Sequence, residues 1–355
     1  MADPAFQTVR DAPNFKVLVR GNPLPEATAL DILEVRVSDY VEGASVFTIT
    51  FNNWDSSAQE FKTRDTQLDE GTPVEIRVGY VDNDATFLSG EITALEPEFP
   101  DNEAPTLKIH GYDLLQRFRR GRKTRTFTQV KDSDIAQTVA NGLQLTAQAD
   151  DTQVVHDYVL QNNQTDIDFL LDRARRIRFE VVVDGRTLYF RKAANDKGKV
   201  TSLDYGLTLK SFYPRLNTLS QVSEVVVQGW NPKTKQVVTG RAQKGDETTT
   251  MGGSTLGVAV TEKAFFQTQD LIVNYAVFSD GEALQIAKGK FNDMTAEYIK
   301  GEGTAIGDTG IRSGTVIELK GLGDRFSGLY YVTSSTHVIG PNGYTTRFTV
   351  IRNAT

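Results

Sequence analysis

The chain of 355 residues contains no cysteine. Disulfides, thiolate metal sites and thiol catalysis are therefore excluded. Histidine is nearly as scarce: His110, His156 and His337 lie far apart, and none belongs to an H-x-x-x-H or His/Asp cluster, so no zinc motif is present. All three read as surface or strand-end residues. No apolar run approaches the ~18–20 residues needed to cross a bilayer. Met1-Ala2-Asp3-Pro4 has no basic stretch followed by an apolar one, so no secretory signal is expected. Nucleotide and hydrolase motifs are missing too. The Gly-Lys pairs at 198–199 and 289–290 are followed by Val200 and Phe291 instead of Ser or Thr, which rules out a phosphate loop. Gly301-Glu302-Gly303 and Gly321-Leu322-Gly323 lack the third glycine of a dinucleotide fingerprint, and there is no G-x-S-x-G elbow. Acidic pairs such as Asp150-Asp151 and Glu96/Glu98 read as solvated charge. A glycosidase needs two carboxyls about 5–10 Å apart across a sugar cleft, and nothing selects such a pair among 46 acids. No catalytic residue, cofactor or metal is expected, which makes a cell-wall hydrolase the weakest of the alternatives.

What is present is enough for folding. Hydrophobic residues make up 39% and charged residues 24%, which supports real cores and excludes wholesale disorder. At ~100–200 residues per domain the length predicts two or three domains. The net charge of −7 makes the chain a poor generic binder of nucleic acid or anionic membrane. Glycine (29) and threonine are plentiful and β-branched residues alternate with polar ones, which predicts β-rich structure with many turns.

Phe15, Val17 and Val19 alternate with polar neighbours, as do Phe47, Ile49 and Phe51, and Val74, Ile76 and Val78. Leu107 and Ile109 belong to a strand running into Gly111. Residues 1–111 therefore read as a first small β-barrel or sandwich. The period then changes. Asp132 or Ser133 can cap a helix carrying Ile135, Val139 and Leu143, and Thr165-Asp166-Ile167-Asp168 resembles a capping box opening a second helix. Asp184-Gly185 predicts a hairpin with Val181 opposite Leu188 and Phe179 opposite Phe190. Residues 112–200 form an α/β middle domain on this reading.

Residues 201–355 return to strands as a second barrel. Within it, 240–257 is polar and reads as an exposed loop. A helix over 280–300 starts at Ser279 or Asp280, carries Leu284, Ala287, Phe291, Met294 and Tyr298 as one stripe, and stops at Gly301.

The two β-rich ends resemble each other. Gly71-Thr72-Pro73-Val74-Glu75-Ile76-Arg77-Val78-Gly79 parallels Gly314-Thr315-Val316-Ile317-Glu318-Leu319-Lys320-Gly321, and Phe87-Leu88-Ser89-Gly90 is echoed by Phe326-Ser327-Gly328. Two similar barrels would thus flank the middle domain, and three copies would present six similar barrels in a ring. The sharpest local signal is basic: Arg117, Arg119, Arg120, Arg122, Lys123 and Arg125, with Phe118 and Phe127 among or beside them. It reads as a solvated loop or as an interface or lumen patch in contact with an acidic neighbour in an assembly. The alternative is a module binding single-stranded nucleic acid by stacking and charge.

Several stretches together resemble the phage late control protein D family, the baseplate hubs of contractile tails and injection systems, which includes the hub part of VgrG spike proteins. They are His110-Gly111-Tyr112-Asp113-Leu114-Leu115, Gln161–Leu170, Asp184–Phe190, Gly321–Val332, and His337 before the final strand. The resemblance implies a non-enzymatic homotrimer whose paired barrels form a pseudo-sixfold torus. That torus would stack between the inner tube ring and the spike and contact other baseplate proteins, with nucleic acid only as lumen cargo. The chain would be made in the bacterial cytoplasm and assembled into a phage tail or an injection particle. Because Thr355 follows directly on the last hub strand, without a β-helical needle, the spike is expected to be a separate polypeptide.

Overall fold

The computed structural model describes residues 13–62, 68–80 and 83–355; Met1-Ala2-Asp3-Pro4 lies outside them. The first region holds β1 (Pro13–Val19), β2 (Asn22–Pro23), α1 (Glu26–Leu30), β3 (Ile32–Tyr40), β4 (Val46–Asn52), β5 (Trp54–Asp55), β6 (Glu60–Phe61), β7 (Pro73–Tyr80), β8 (Asn83–Glu98) and β9 (Thr106–Asp113). Phe47, Ile49, Phe51, Val74, Ile76 and Val78 are all buried in one core, as a period of two requires.

A 3-10 turn at Leu114–Arg119 leads to β10 (Lys123–Val130), α2 (Asp132–Asn141), β11 (Thr146–Ala149), β12 (His156–Gln164), α3 (Asp166–Arg176), β13 (Phe179–Asp184) and β14 (Thr187–Lys192). The last region comprises β15 (Thr201–Asp204), β16 (Leu209–Leu216), β17 (Glu224–Asn231), β18 (Gln236–Gln243), α4 (Gly257–Ala264), β19 (Gln269–Ile272) and α5 (Asp280–Ala296). It ends with β20 (Ile299–Ile306), β21 (Val316–Lys320), α6 (Gly323–Phe326), β22 (Gly328–Gly340) and β23 (Gly343–Arg352). Strand accounts for 49% and helix for 19%, so the chain is mainly β.

Thirteen strands form one sheet, with the main path β16-β20-β23-β22-β3-β4-β9-β8-β7-β1-β2, β21 on β22 and β15 on β21. The path is open, so the ladders of the single chain do not close two separate barrels. Its two ends nevertheless repeat one construction. Gly71 N donates to Ile92 O (2.7 Å), Ile92 N donates to Thr72 O (3.0 Å) and Thr72 N to Asp69 O (3.1 Å). In the last region Gly314 N donates to Val332 O (2.9 Å), Val332 N to Thr315 O (2.9 Å) and Thr315 N to Arg312 O (3.2 Å). The glycines have φ +80 and +78, a conformation glycine adopts without a Cβ penalty.

The irregularities coincide as well. A bulge at Ile92/Ala94 in β8 matches one at Val332/Ser334 in β22, and a bulge at Ile32/Glu34 in β3 matches one at Leu209/Ser211 in β16. Because bulges pin register, they fix the alignment: β3, β4, β7, β8 and β9 correspond to β16, β20, β21, β22 and β23. The echo of Phe87–Gly90 in Phe326–Gly328 is displaced by two residues, since Val74 pairs with Gly90 whereas Ile317 pairs with Tyr330.

Three local expectations are corrected. The hairpin turns on Gly185-Arg186, so Val183 faces Leu188 and Val181 faces Phe190. Gly185 at φ +55 takes the first central position of a two-residue turn, and the two-residue shift leaves Phe179, Val181, Leu188 and Phe190 on one buried face. The 280–300 helix ends at Ala296, and Gly301 lies inside β20. Its buried stripe is Ala283, Ile286, Ala287 and Phe291, while Leu284 is 41% exposed, because β17 and β18 approach from that side. Finally, 240–257 is not one exposed loop. Residues 240–243 finish β18 with Ala242 buried, Met251 is buried against Val316 and Tyr331, and Thr248 N donates to Asn292 Oδ1 (2.7 Å). An amide, a hydroxyl and one methionine pin the segment despite its polar composition.

Candidate assembly interface

The two repeats meet inside the chain where β22 lies antiparallel to β3, from Ser334 opposite Tyr40 to Ile339 opposite Val35. Ile339 and Tyr344 of the last region complete the core around Phe47 and Ile76. The seam is lined by a buried polar network. Asp39, 3% exposed, accepts from Arg312 Nε (2.7 Å), Ser313 N (3.2 Å) and Ser335 Oγ. The Arg312 guanidinium lies 3.9 Å over the Phe87 ring. His337 Nε2 lies 2.8 Å from Ile311 O, which can only accept; Nε2 therefore carries the proton, and Nδ1 accepts from the Tyr344 hydroxyl (2.8 Å). Burial pushes the His337 pKa down to about 4, against the pull of Asp39.

A second cluster ties the middle region to α5. Arg173 Nε donates to Asp132 Oδ1 (2.5 Å), and His156 stands between Asp132 (3.3 Å) and Glu282 (3.3 Å). Burial disfavours the imidazolium, but the two carboxylates outweigh it and the nearby Arg173, so the pKa of His156 is raised. Of the histidines read as surface or strand-end residues, His156 does begin β12 but is buried, and His337 is buried within β22. His110 is part-exposed and bonds Glu96 (2.9 Å). No spacing signal marks these groups, because their partners arrive from distant elements. The three histidines do not converge, and among the described residues no group of three or more His, Asp or Glu side chains is placed to hold a metal ion.

The basic cluster divides. Arg117 and Gln116 donate to Glu91; Lys123 (2.6 Å) and Arg125 (2.8 Å) donate to the buried Asp166. Arg122 donates to Asn163 O (2.8 Å) and Arg120 to Gln116 Oε1 (3.3 Å). Arg119, Arg120 and Arg122 remain exposed and form no salt bridge among the described residues, although the Arg119 charge acts on the buried Asp113. The aromatics are not presented with them. Phe118 is 1% exposed in the middle core, and Phe127 stacks on Phe169 at 5.8 Å. The stacking platform that single-strand binding needs is not formed by these two rings.

Solved structures share this mainly β fold with open sheets over nearly the whole chain. The 43 kDa tail protein of prophage MuSo2 from Shewanella oneidensis matches with a TM-score of 0.70 at 13% identity, covering 96% of this chain and 98% of that one. The tail protein from Neisseria meningitidis MC58 matches at 0.68 and 12% identity, with 96% and 97% covered. An E. coli component of the type VI secretion system, itself similar to T4 bacteriophage tail proteins gp27 and gp5, matches at 0.60 and 12% identity, with 96% and 77% covered. By sequence the chain belongs to the Alg8 N-terminal domain family, whose model matches residues 9–340. No curated protein matches the sequence.

Proposed function

We propose that the chain is a non-enzymatic hub subunit of a contractile tail or injection machine, akin to the late control protein D group. On this reading three copies close a ring of six similar tube-like modules, the regions 1–111 and 201–355 of each chain, with 112–200 as the middle domain. The ring joins a sixfold inner tube to a threefold spike. The observation that carries the proposal is the duplication: identical Gly-Thr corner bonds and paired bulges in both ends of one chain. A polypeptide built this way meets sixfold and threefold partners with one interface type. The likeness in fold to tail proteins supports it. Arg119, Arg120 and Arg122 serve as a contact for an acidic neighbour in the assembly.

The test is the mass and shape of the purified full chain across a concentration series. Light scattering should give about three times the 39.3 kDa subunit, and negative-stain images should show rings with threefold symmetry. Interfaces of roughly 2,000 Å² or more hold obligate oligomers, so a particle that keeps the mass of one subunit at every concentration sinks the proposal.

A further inference from the structure

The seam inside the chain shows what a seam between chains must look like. Within one chain β22 of the second repeat pairs with β3 of the first. The counterparts of these strands, β8 and β16, are not paired with each other in the single chain. β8 is held by β7 only over Asn83–Glu91, and no described strand occupies the outer edge of Ala94–Glu98. β16 pairs with β20 on one side and ends the main path of the sheet on the other. Given the ring reading above, we propose that β16 of one copy docks antiparallel on the 94–99 edge of the next, in the register that sets Glu96 opposite Arg215.

The register is read from the ladders. Ile109 pairs with Ile49 and Ile49 with Val35; the corresponding Phe348 pairs with Gly303 and Gly303 with Phe212. Val35 thus corresponds to Phe212, Ser38 to Arg215 and Asp39 to Leu216. On the other strand Ala94 corresponds to Ser334 through the shared bulge, so Leu95, Glu96 and Phe99 stand for Ser335, Thr336 and Ile339. Transferring the internal pairs gives Leu95 opposite Leu216, Glu96 opposite Arg215, Glu98 opposite Tyr213 and Phe99 opposite Phe212.

Three of the transferred pairs are chemically matched. The buried Ser335–Asp39 hydrogen bond becomes the apolar pair Leu95–Leu216. The Ser38–Thr336 hydroxyl contact (2.9 Å) becomes the opposite charges Arg215 and Glu96, and Ile339–Val35 becomes Phe99–Phe212. Glu98 falls opposite Tyr213 and keeps its own partners, Lys108 and Thr106. The surface is also apolar where it should be covered: Phe99 is 61% and Tyr213 is 73% exposed. Arg215 has no ion-pair partner among the described residues of its own chain.

Pro97 falls opposite Pro214 in this register. Val41 N donates to Thr333 O across the internal seam, so by alternation His337 and Val37 are a hydrogen-bonded pair. Their proline counterparts cannot bond there. The missing N–H groups lie on the free edges, where they cost the existing ladders nothing and discourage indiscriminate edge pairing. Specificity between copies then rests on side chains, above all Glu96 and Arg215.

The absence of native cysteine makes the test clean. Glu96 and Arg215 would form a non-hydrogen-bonded pair, whose short Cα separation suits a disulfide. Full-length E96C and R215C chains are mixed and mildly oxidised. The expected product is a covalent dimer, formed about tenfold more than when R215C is replaced by Tyr213→Cys, two residues out of register. In a second arm E96R and R215E each reduce the light-scattering trimer, and the double swap E96R/R215E restores it. If the wild-type chain is a trimer but the dimer does not form and the swap does not rescue, the strand pairing is wrong and the ring stands. If the wild-type chain keeps the mass of one subunit throughout, the ring itself falls, and this pairing with it.

Discussion

The internal seam and the open edges use corresponding strands of the two repeats for opposite purposes. Between β22 and β3 the chain itself guarantees the encounter, and the joint is a buried polar network of Asp39, Arg312, Ser335, His337 and Tyr344. At β8 and β16 the counterparts of Asp39 and Ser335 are leucines, and prolines stand at the counterparts of His337 and Val37. Buried polar groups are costly unless every partner is present. A joint that forms once, on folding, can satisfy them all. An edge that must survive alone in water before meeting its partner is better served by apolar and charged side chains, with prolines to blunt it. The strongest way to break this contrast is Asp39→Ala. It leaves Arg312 and the Ser313 amide without their acceptor, and the expected loss is about 3–5 kcal/mol in chemical denaturation. Leu216→Ala, at the matching place in the other seam, should cost the free chain clearly less.

His337 sharpens the same contrast through pH. Its folded pKa is about 4, below the usual ~6.5 of an unfolded histidine. Between these values the unfolded chain binds the proton and the folded chain does not. The contribution to stability is therefore complete above about pH 6.5, falls as the pH drops, and is spent near pH 4, a loss of up to roughly 3 kcal/mol. The buried Asp113 and the half-exposed Asp293, both raised to about 6, work in the opposite direction over part of that range. The checking measurement is the His337 ring resonance by NMR: titration near pH 4 supports the sealed seam, and titration above 6 shows it to be wet.

Much of this architecture could be read in advance. Alternation exposed the strands of Phe47–Phe51 and Val74–Val78, and the caps at Ser279 and Thr165 do accept from Glu282 N and Asp168 N (both 3.2 Å). The Gly-Thr corners announced the duplication, because a positive-φ glycine followed by a bonded threonine is a local device visible over a few residues. Facts set by distant partners stayed hidden. Leu284 fits a helical stripe, yet the buried face of α5 is decided by where β17 and β18 lie. Arg173 looks like a cation suited to a helix C-terminus, but it is buried against Asp132. Lys123 and Arg125 read as part of a basic interface patch until Asp166 of α3 is brought beneath them.

The gentlest test compares the two corners directly. Gly71 and Gly314 share φ near +80, so alanine at either site carries the left-handed penalty of about 1–2 kcal/mol. Their surroundings differ. A Cβ on Gly71 meets nothing within 4 Å, whereas one on Gly314 comes within 2.9 Å of Arg191 Nη2, and Glu180 and Tyr331 lie just beyond at 3.7 Å. Arg191 is flexible and can yield, at some cost to its contact with Glu180 (3.4 Å). Urea denaturation should therefore show both variants destabilised, Gly314→Ala by a few tenths to 1 kcal/mol more than Gly71→Ala, with the m-value unchanged. A neutral Gly71→Ala would mean that the first corner is not built like the second, and the duplication would lose its most local support.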